Sequence, residues 1–193
     1  MEADIGQLAS VGDVTGQAVG AVPDEQWDLP TPCVGWSVRD LVQHLVAGND
    51  GFAAALRGEA TPATQAGGQP SPGELASAYR RSVRALLDAF REPGALERTV
   101  TVPFGTVPGT VALHLRLTEL LVHGWDLTRA TGFRVAFPDD LAEQELAFAR
   151  PALADIPPDR RPFAPPEPVA DDAPAIDRLA ACLGRKVTAP PSV

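Results

Sequence analysis

TELLVHGWDLTRATG, residues 118–132, decides how this chain is read. Together with Leu117, the run Leu120, Leu121 and Val122 marks a helix, and Thr131-Gly132 stops it. Such a helix is expected to be apolar on one side and wet on the other. Yet Glu119 and His123 stand one turn apart inside the apolar run. A helix advances about 100° per residue, so the two side chains lie within about 40° of each other in projection. An acid and an imidazole at this spacing can offer two ligands to one metal ion. Such pairs are also common on solvated helix faces, and spacing alone favours a hydrogen-bonded surface pair.

Working outward, Asp126, Ala112 and Ala130 share the face of Glu119 and His123, with Arg116 nearby. His114 is nine residues before His123, about 180° away, and so cannot share a site with it. The remaining histidine is His44, in DLVQHLVAGND. Ala47, Gly48, Gly51 and Ala55 follow on or near its face, and such small residues leave space beside the imidazole that reads as room for a ligand. His44, Glu119 and His123 match a zinc-type site with three protein ligands and an open position. A lone histidine on an apolar helix is also a common core residue. On the residues alone, metal and no metal are equally open.

The rest of the chain is organised around helices. Ile5, Leu8, Val11, Val14 and Val19 recur at helical intervals over residues 2–22. Pro30 and Pro32 break the chain in WDLPTPCVGWS, and Ser37 with Asp40 makes a capping-box-like start for a helix over 38–57. Residues 58–72 form a loop by composition, and Ser71 with Glu74 opens a third helix that ends at Pro93-Gly94. ERTVTVPFGTVPGT predicts a short strand or hairpin turning at Gly105, kept to an edge by Pro103 and Pro108. A fourth helix spans about 110–130 and a fifth starts at Asp139. Half of the twenty prolines fall in the last 43 residues, where only AIDRLAACLGR can form a short helix. The expected architecture is all-α: an antiparallel four-helix bundle over 1–150, with a Pro-rich tail over 151–193 packing on it.

With 25 acidic against 16 basic residues, the chain carries a formal charge of −9. Nucleic acid and anionic membrane are therefore not expected as partners, since both need clustered Lys and Arg. The acidic N-terminus lacks a signal-peptide pattern and no apolar run reaches membrane-span length, so a cytoplasmic location is expected. Cys33 and Cys182 lie far apart in no Cys-x-x-Cys pattern and read as two reduced thiols. There is no GxSxG elbow, P-loop, GxGxxG or HExxH.

WSVRDLVQHLV followed by LRLTELLVHGWDLTRATG closely resembles actinobacterial proteins of the DinB-like fold. Within that superfamily it looks like the group related to the N-terminal domain of mycothiol-dependent maleylpyruvate isomerase. The resemblance covers roughly residues 1–150 and implies a four-helix bundle whose metal ligands fall on His44, Glu119 and His123. It also implies mycothiol, the low-molecular-weight thiol of actinobacteria, as a co-substrate. The isomerase has a further C-terminal domain, whereas here a Pro-rich tail follows the bundle.

Two imidazoles and a carboxylate suit a divalent ion, zinc first, with Ni, Co, Fe or Mn compatible. A thiol on such an ion becomes a nucleophile at neutral pH. The expected function is thus a metal- and thiol-dependent transferase or isomerase acting on a small electrophile. In that reading Arg116 holds an anionic substrate and Asp126 orients His123. Trp36 and Trp125 are expected to pack the bundle. The rival reading is a non-catalytic helical module that binds metal or a small ligand; a homodimer is compatible with either.

Overall fold

The computed structural model describes residues 3–60, 69–103, 105–154, 156 and 163–187. Residues 61–68 of the expected loop, and 155, 157–162 and 188–193 of the tail, lie outside the described residues. Six helices and one hairpin make up the described chain: α1 (Ile5–Gly20), α2 (Val38–Arg57), α3 (Pro72–Arg91), β1 (Thr99–Val102), β2 (Gly105–Pro108), α4 (Gly109–Thr131), α5 (Asp139–Ala154) and α6 (Ala175–Cys182). A single 3-10 turn, Asp24–Gln26, follows α1.

Local chemistry explains where the helices begin and end. Ser37 and Asp40 cap α2 reciprocally, as do Ser71 and Glu74 on α3, so orphan N–H groups in the first turns are satisfied. Asp4 and Gln7 do the same for α1. Gly132 ends α4 in the left-handed region at φ 74°, which only glycine enters at no steric cost. The hairpin is antiparallel, pairing Thr99 with Pro108 and Val102 with Gly105. Pro108 then leads directly into α4 as its N-cap residue.

Each of α1 and α2 packs on both α3 and α4, so these four helices close into a ring. α5 and α6 pack on each other and on α4. That second layer changes the character of α4. From Arg116 to Leu127 every residue is buried, whereas one wet side was expected from the sequence. The reason is tertiary: α1 and α2 cover one side of α4, and α5 and α6 cover the rest.

Polar side chains inside this packing are paired. Thr15 Oγ1 donates to the Leu120 carbonyl at 3.1 Å, and Tyr79 donates to Gly12 O at 3.1 Å. On the face of α4 turned to α5, His114 Nδ1 lies 2.8 Å from Glu145, Thr118 donates to Glu145 at 3.0 Å, and His114 stacks on Phe148. Trp125 and Arg129 both donate to Asp177, at 2.6 and 2.8 Å, tying α6 to α4. Trp125 is thus a packing residue, as expected. Among the described residues, no helix is long and apolar enough to cross a membrane.

The start of α4 is fixed by close approach. A Cβ on Gly109 would stand 2.1 Å from the Ala95 carbonyl oxygen and 2.9 Å from the Leu96 Cα, both backbone atoms that cannot swing away. Gly109→Ala is expected to cost about 2 kcal/mol and to lower the thermal midpoint by roughly 4–8 °C. An unchanged midpoint in a melting experiment would show that the hairpin yields freely at this point.

Candidate metal centre

The site is built where the turn before α2 meets the middle of α4. Residues Pro30–Ser37 fold back on themselves: Thr31 N donates to Trp36 O, Trp36 N to Cys33 O, and Val38 N to Leu29 O, each at 3.0 Å. Gly35 takes φ 84°, which lets the loop close. This closure sets the Trp36 ring over two imidazoles, 4.6 Å from His44 and 5.8 Å from His123 between centroids. In α2, Leu41, Val42 and Leu45 are fully buried and fix the helix's rotation, leaving His44 at the edge with its side chain 36% exposed.

His44 Nε2 lies 2.8 Å from Glu119 Oε2, and His123 Nε2 lies 3.5 Å from the same oxygen. The three ligand atoms all fall within 4.8 Å of one another. Two ligands of one tetrahedral ion with bonds of about 2.0–2.1 Å stand roughly 3.3–3.5 Å apart. The arrangement therefore fits a divalent ion with a small opening of the His44–Glu119 contact. Three protein ligands leave a coordination position for water or a thiol.

A supporting layer stands behind these three side chains. His123 donates from Nδ1 to Asp126 Oδ2 at 3.0 Å, which leaves Nε2 facing Glu119. Arg185, from the segment after α6, holds both Asp126 oxygens, at 2.9 and 3.3 Å. Arg116 approaches Glu119 to 4.0 Å and donates to Asn49 at 2.7 Å. Asn49 in turn donates to Ser82 at 3.0 Å, reaching α3. All five of Arg116, Glu119, His123, Asp126 and Arg185 are buried.

Protonation follows from these neighbours. Burial pushes the Glu119 carboxyl up, but the His123 and His44 imidazoles and the Arg116 guanidinium hold it well below the ordinary carboxylate range. For His123, burial disfavours the charged form, yet Asp126 and Glu119 outweigh it and raise the imidazole above its ordinary value. Glu119 is therefore ready as an anionic ligand, and a proton and a cation compete for His123.

The structure thus brings together the five residues assigned to the site from the sequence: His44, Glu119, His123, Arg116 and Asp126. Two local expectations need correction. The space beside Gly48 is not vacant for a ligand: a Cβ there would sit 2.6 Å from Arg116 Nη1, so the glycine admits the arginine. Arg116 is 1% exposed, and its guanidinium is turned to Asn49 and Glu119 instead of the mouth of the site. Sequence reasoning missed Arg185, which is 59 residues from Asp126, and the placement of Trp36 over the histidines. It also missed Cys33, whose sulfur lies within 4.8 Å of ligand atoms of His123 and Asp126. That second trio is the poorer metal site, because both Asp126 oxygens are engaged by Arg185.

Residues 8–128 match the family described as the mycothiol maleylpyruvate isomerase N-terminal domain. The chain belongs to that family. It is also 34% identical over 178 residues to an uncharacterised protein of Mycobacterium tuberculosis, found in strains CDC 1551 and H37Rv. That match covers 91% of this chain and 93% of the relative. Among solved structures, the mycothiol-dependent maleylpyruvate isomerase superposes with a TM-score of 0.61 at 20% identity, and a histidine-to-alanine mutant of it with 0.63. Each covers 77% of this chain and 68% of the isomerase. A DinB-like protein of Bacillus subtilis gives 0.56 at 16% identity, over 69% of this chain and 95% of its own. At these identities the structures establish a shared fold.

The Arg185–Asp126 pair yields a direct test. Arg185→Ala strands a fully buried carboxylate, so a loss of about 3 kcal/mol in unfolding free energy is expected. Zinc affinity measured by competition with a chelator should fall by about 10- to 100-fold, since His123 loses its orienting partner's support. Stability and affinity both at wild-type level would show that the tail does not brace the centre.

Proposed function

We propose that this chain is a metal-dependent enzyme of the cytoplasm that uses a low-molecular-weight thiol, mycothiol, as a transferase or isomerase acting on a small electrophile. The observation that carries this reading is the convergence of His44, Glu119 and His123 ligand atoms within 4.8 Å, with His123 backed by Asp126. Residues 1–150 supply the ligands and the 151–193 tail braces them through Arg185. A divalent ion held there, zinc first, lowers the pKa of a thiol and presents it as a nucleophile.

The chain's own residues do the positioning. Asp126 fixes the tautomer of His123, Arg116 holds Glu119 from the bundle interior, and Trp36 packs against the two imidazoles. Against a conjugated double bond, the thiol sulfur bonds to the β-carbon. In a transferase the thiol proton goes to the α-carbon and the adduct is released. In an isomerase the bond that has become single rotates, the sulfur leaves as thiolate, and the double bond returns with its geometry changed. Neither course changes an oxidation state. Membership of the mycothiol maleylpyruvate isomerase N-terminal domain family supports the thiol, and the buried acid–imidazole pair supports the ion.

Elemental analysis of protein purified without a metal-affinity tag is expected to find about one divalent ion per chain, absent from His123→Ala. Thiol consumption with a panel of electrophiles should require that ion, and Glu119→Gln should lower the rate by about 100-fold or more. A wild-type protein that neither carries nor takes up metal, and consumes no thiol, would leave a non-catalytic helical module.

A further inference from the structure

A cavity of about 70 Å³ opens between α4, α5 and the tail, and Glu119 forms part of its wall. Leu115, Phe148, Ala149, Phe163 and Leu183 supply most of the remainder. Among the described residues that line it, Glu119 is the sole ionisable one. The other polar side chain, Thr118, spends its hydroxyl on Glu145. We propose that this cavity binds an uncharged, apolar small molecule and that it is the seat of the electrophile's acceptor portion.

Three observations tie the cavity to the metal centre. Glu119 belongs to both. Leu183 closes the cavity two residues before Arg185, which clamps Asp126. Phe163 lines the cavity while carrying the Arg185 guanidinium over its ring at 5.5 Å. One stretch of tail therefore shapes the pocket and braces the ligand His123.

The chemistry of the wall selects the ligand. A carboxylate placed here would give up its hydration against a wall that is almost wholly apolar, because the Glu119 carboxylate itself turns away to the histidines and Arg116. An alkyl or small carbocyclic group instead loses only unfavourable contact with water, and an apolar cavity of this kind is poor at holding water itself. The described walls thus favour an apolar enone-type acceptor over a dicarboxylate. The link to reactivity rests on the thiol-enzyme reading above; the binding itself does not.

The test is a titration followed by NMR of protein carrying ¹³C-methyl alanine, with cyclopentanone as the uncharged probe and maleate as the charged one. Saturable shifts of the Ala149 and Ala152 methyls with cyclopentanone, and none with maleate, are expected. Ala152 is exposed at the rim, so Ala152→Phe narrows the entry without disturbing the core. This variant should weaken cyclopentanone by about tenfold while the bound-metal content stays at the wild-type level. Maleate binding in preference to cyclopentanone, or an unaltered affinity in Ala152→Phe, overturns the assignment. A metal-free wild type that still binds cyclopentanone saturably upholds the cavity and removes only the metal reading.

Discussion

The carboxylate of Glu119 is the constraint around which the molecule is arranged. It is 4% exposed in the middle of a helix that is buried on every side. An isolated anion in such a place is prohibitively costly, so cationic or hydrogen-bonding partners must converge on it. His44 comes from α2, His123 from the next turn of α4, and Arg116 from the turn before. Gly48 exists in α2 because the Arg116 guanidinium needs the volume a Cβ would take. The bundle's helix packing and the site's chemistry are therefore one problem.

A second buried acid solves the same problem differently. Asp126 pairs with His123 on one side and with Arg185 on the other. Two buried carboxylates thus face two buried guanidiniums, a balance that allows the bundle to close around the site before any cation arrives. Because Arg185 lies beyond α6, the tail is part of the centre and not a mere appendage. α6 is itself anchored through Asp177 to Trp125 and Arg129 of the same helix α4.

Much of this was legible in the chain. Ser37 with Asp40 and Ser71 with Glu74 announce helix starts because capping is a local interaction over three residues. The Glu119/His123 pair is equally local, as is the exclusion of His114, which does turn to the opposite side and Glu145. His44 was different: its meeting with Glu119 spans 75 residues, and periodicity alone left it as an ordinary core histidine or a ligand. The small residues beside it suggested that grouping, and likeness to a family pattern strengthened it. Arg185 carried no local signal, since its partner is 59 residues away and the intervening chain is rich in proline. Burial on all sides of α4 was hidden for a similar reason. Its polar positions, 116, 119, 123 and 126 on one side and 114 and 118 on the other, read as solvated until α2, α5 and the tail bring them partners.

The central claim is that His44, Glu119 and His123 form an open three-ligand centre, and X-ray absorption spectroscopy of the zinc-loaded protein addresses it most directly. The resting shell should consist of nitrogen and oxygen at about 2.0–2.1 Å with no sulfur, and a sulfur at about 2.3 Å should enter only after thiol is added. A sulfur already present in the resting protein would move the ion to Cys33, His123 and Asp126, and zinc without an ordered shell would mean there is no such centre.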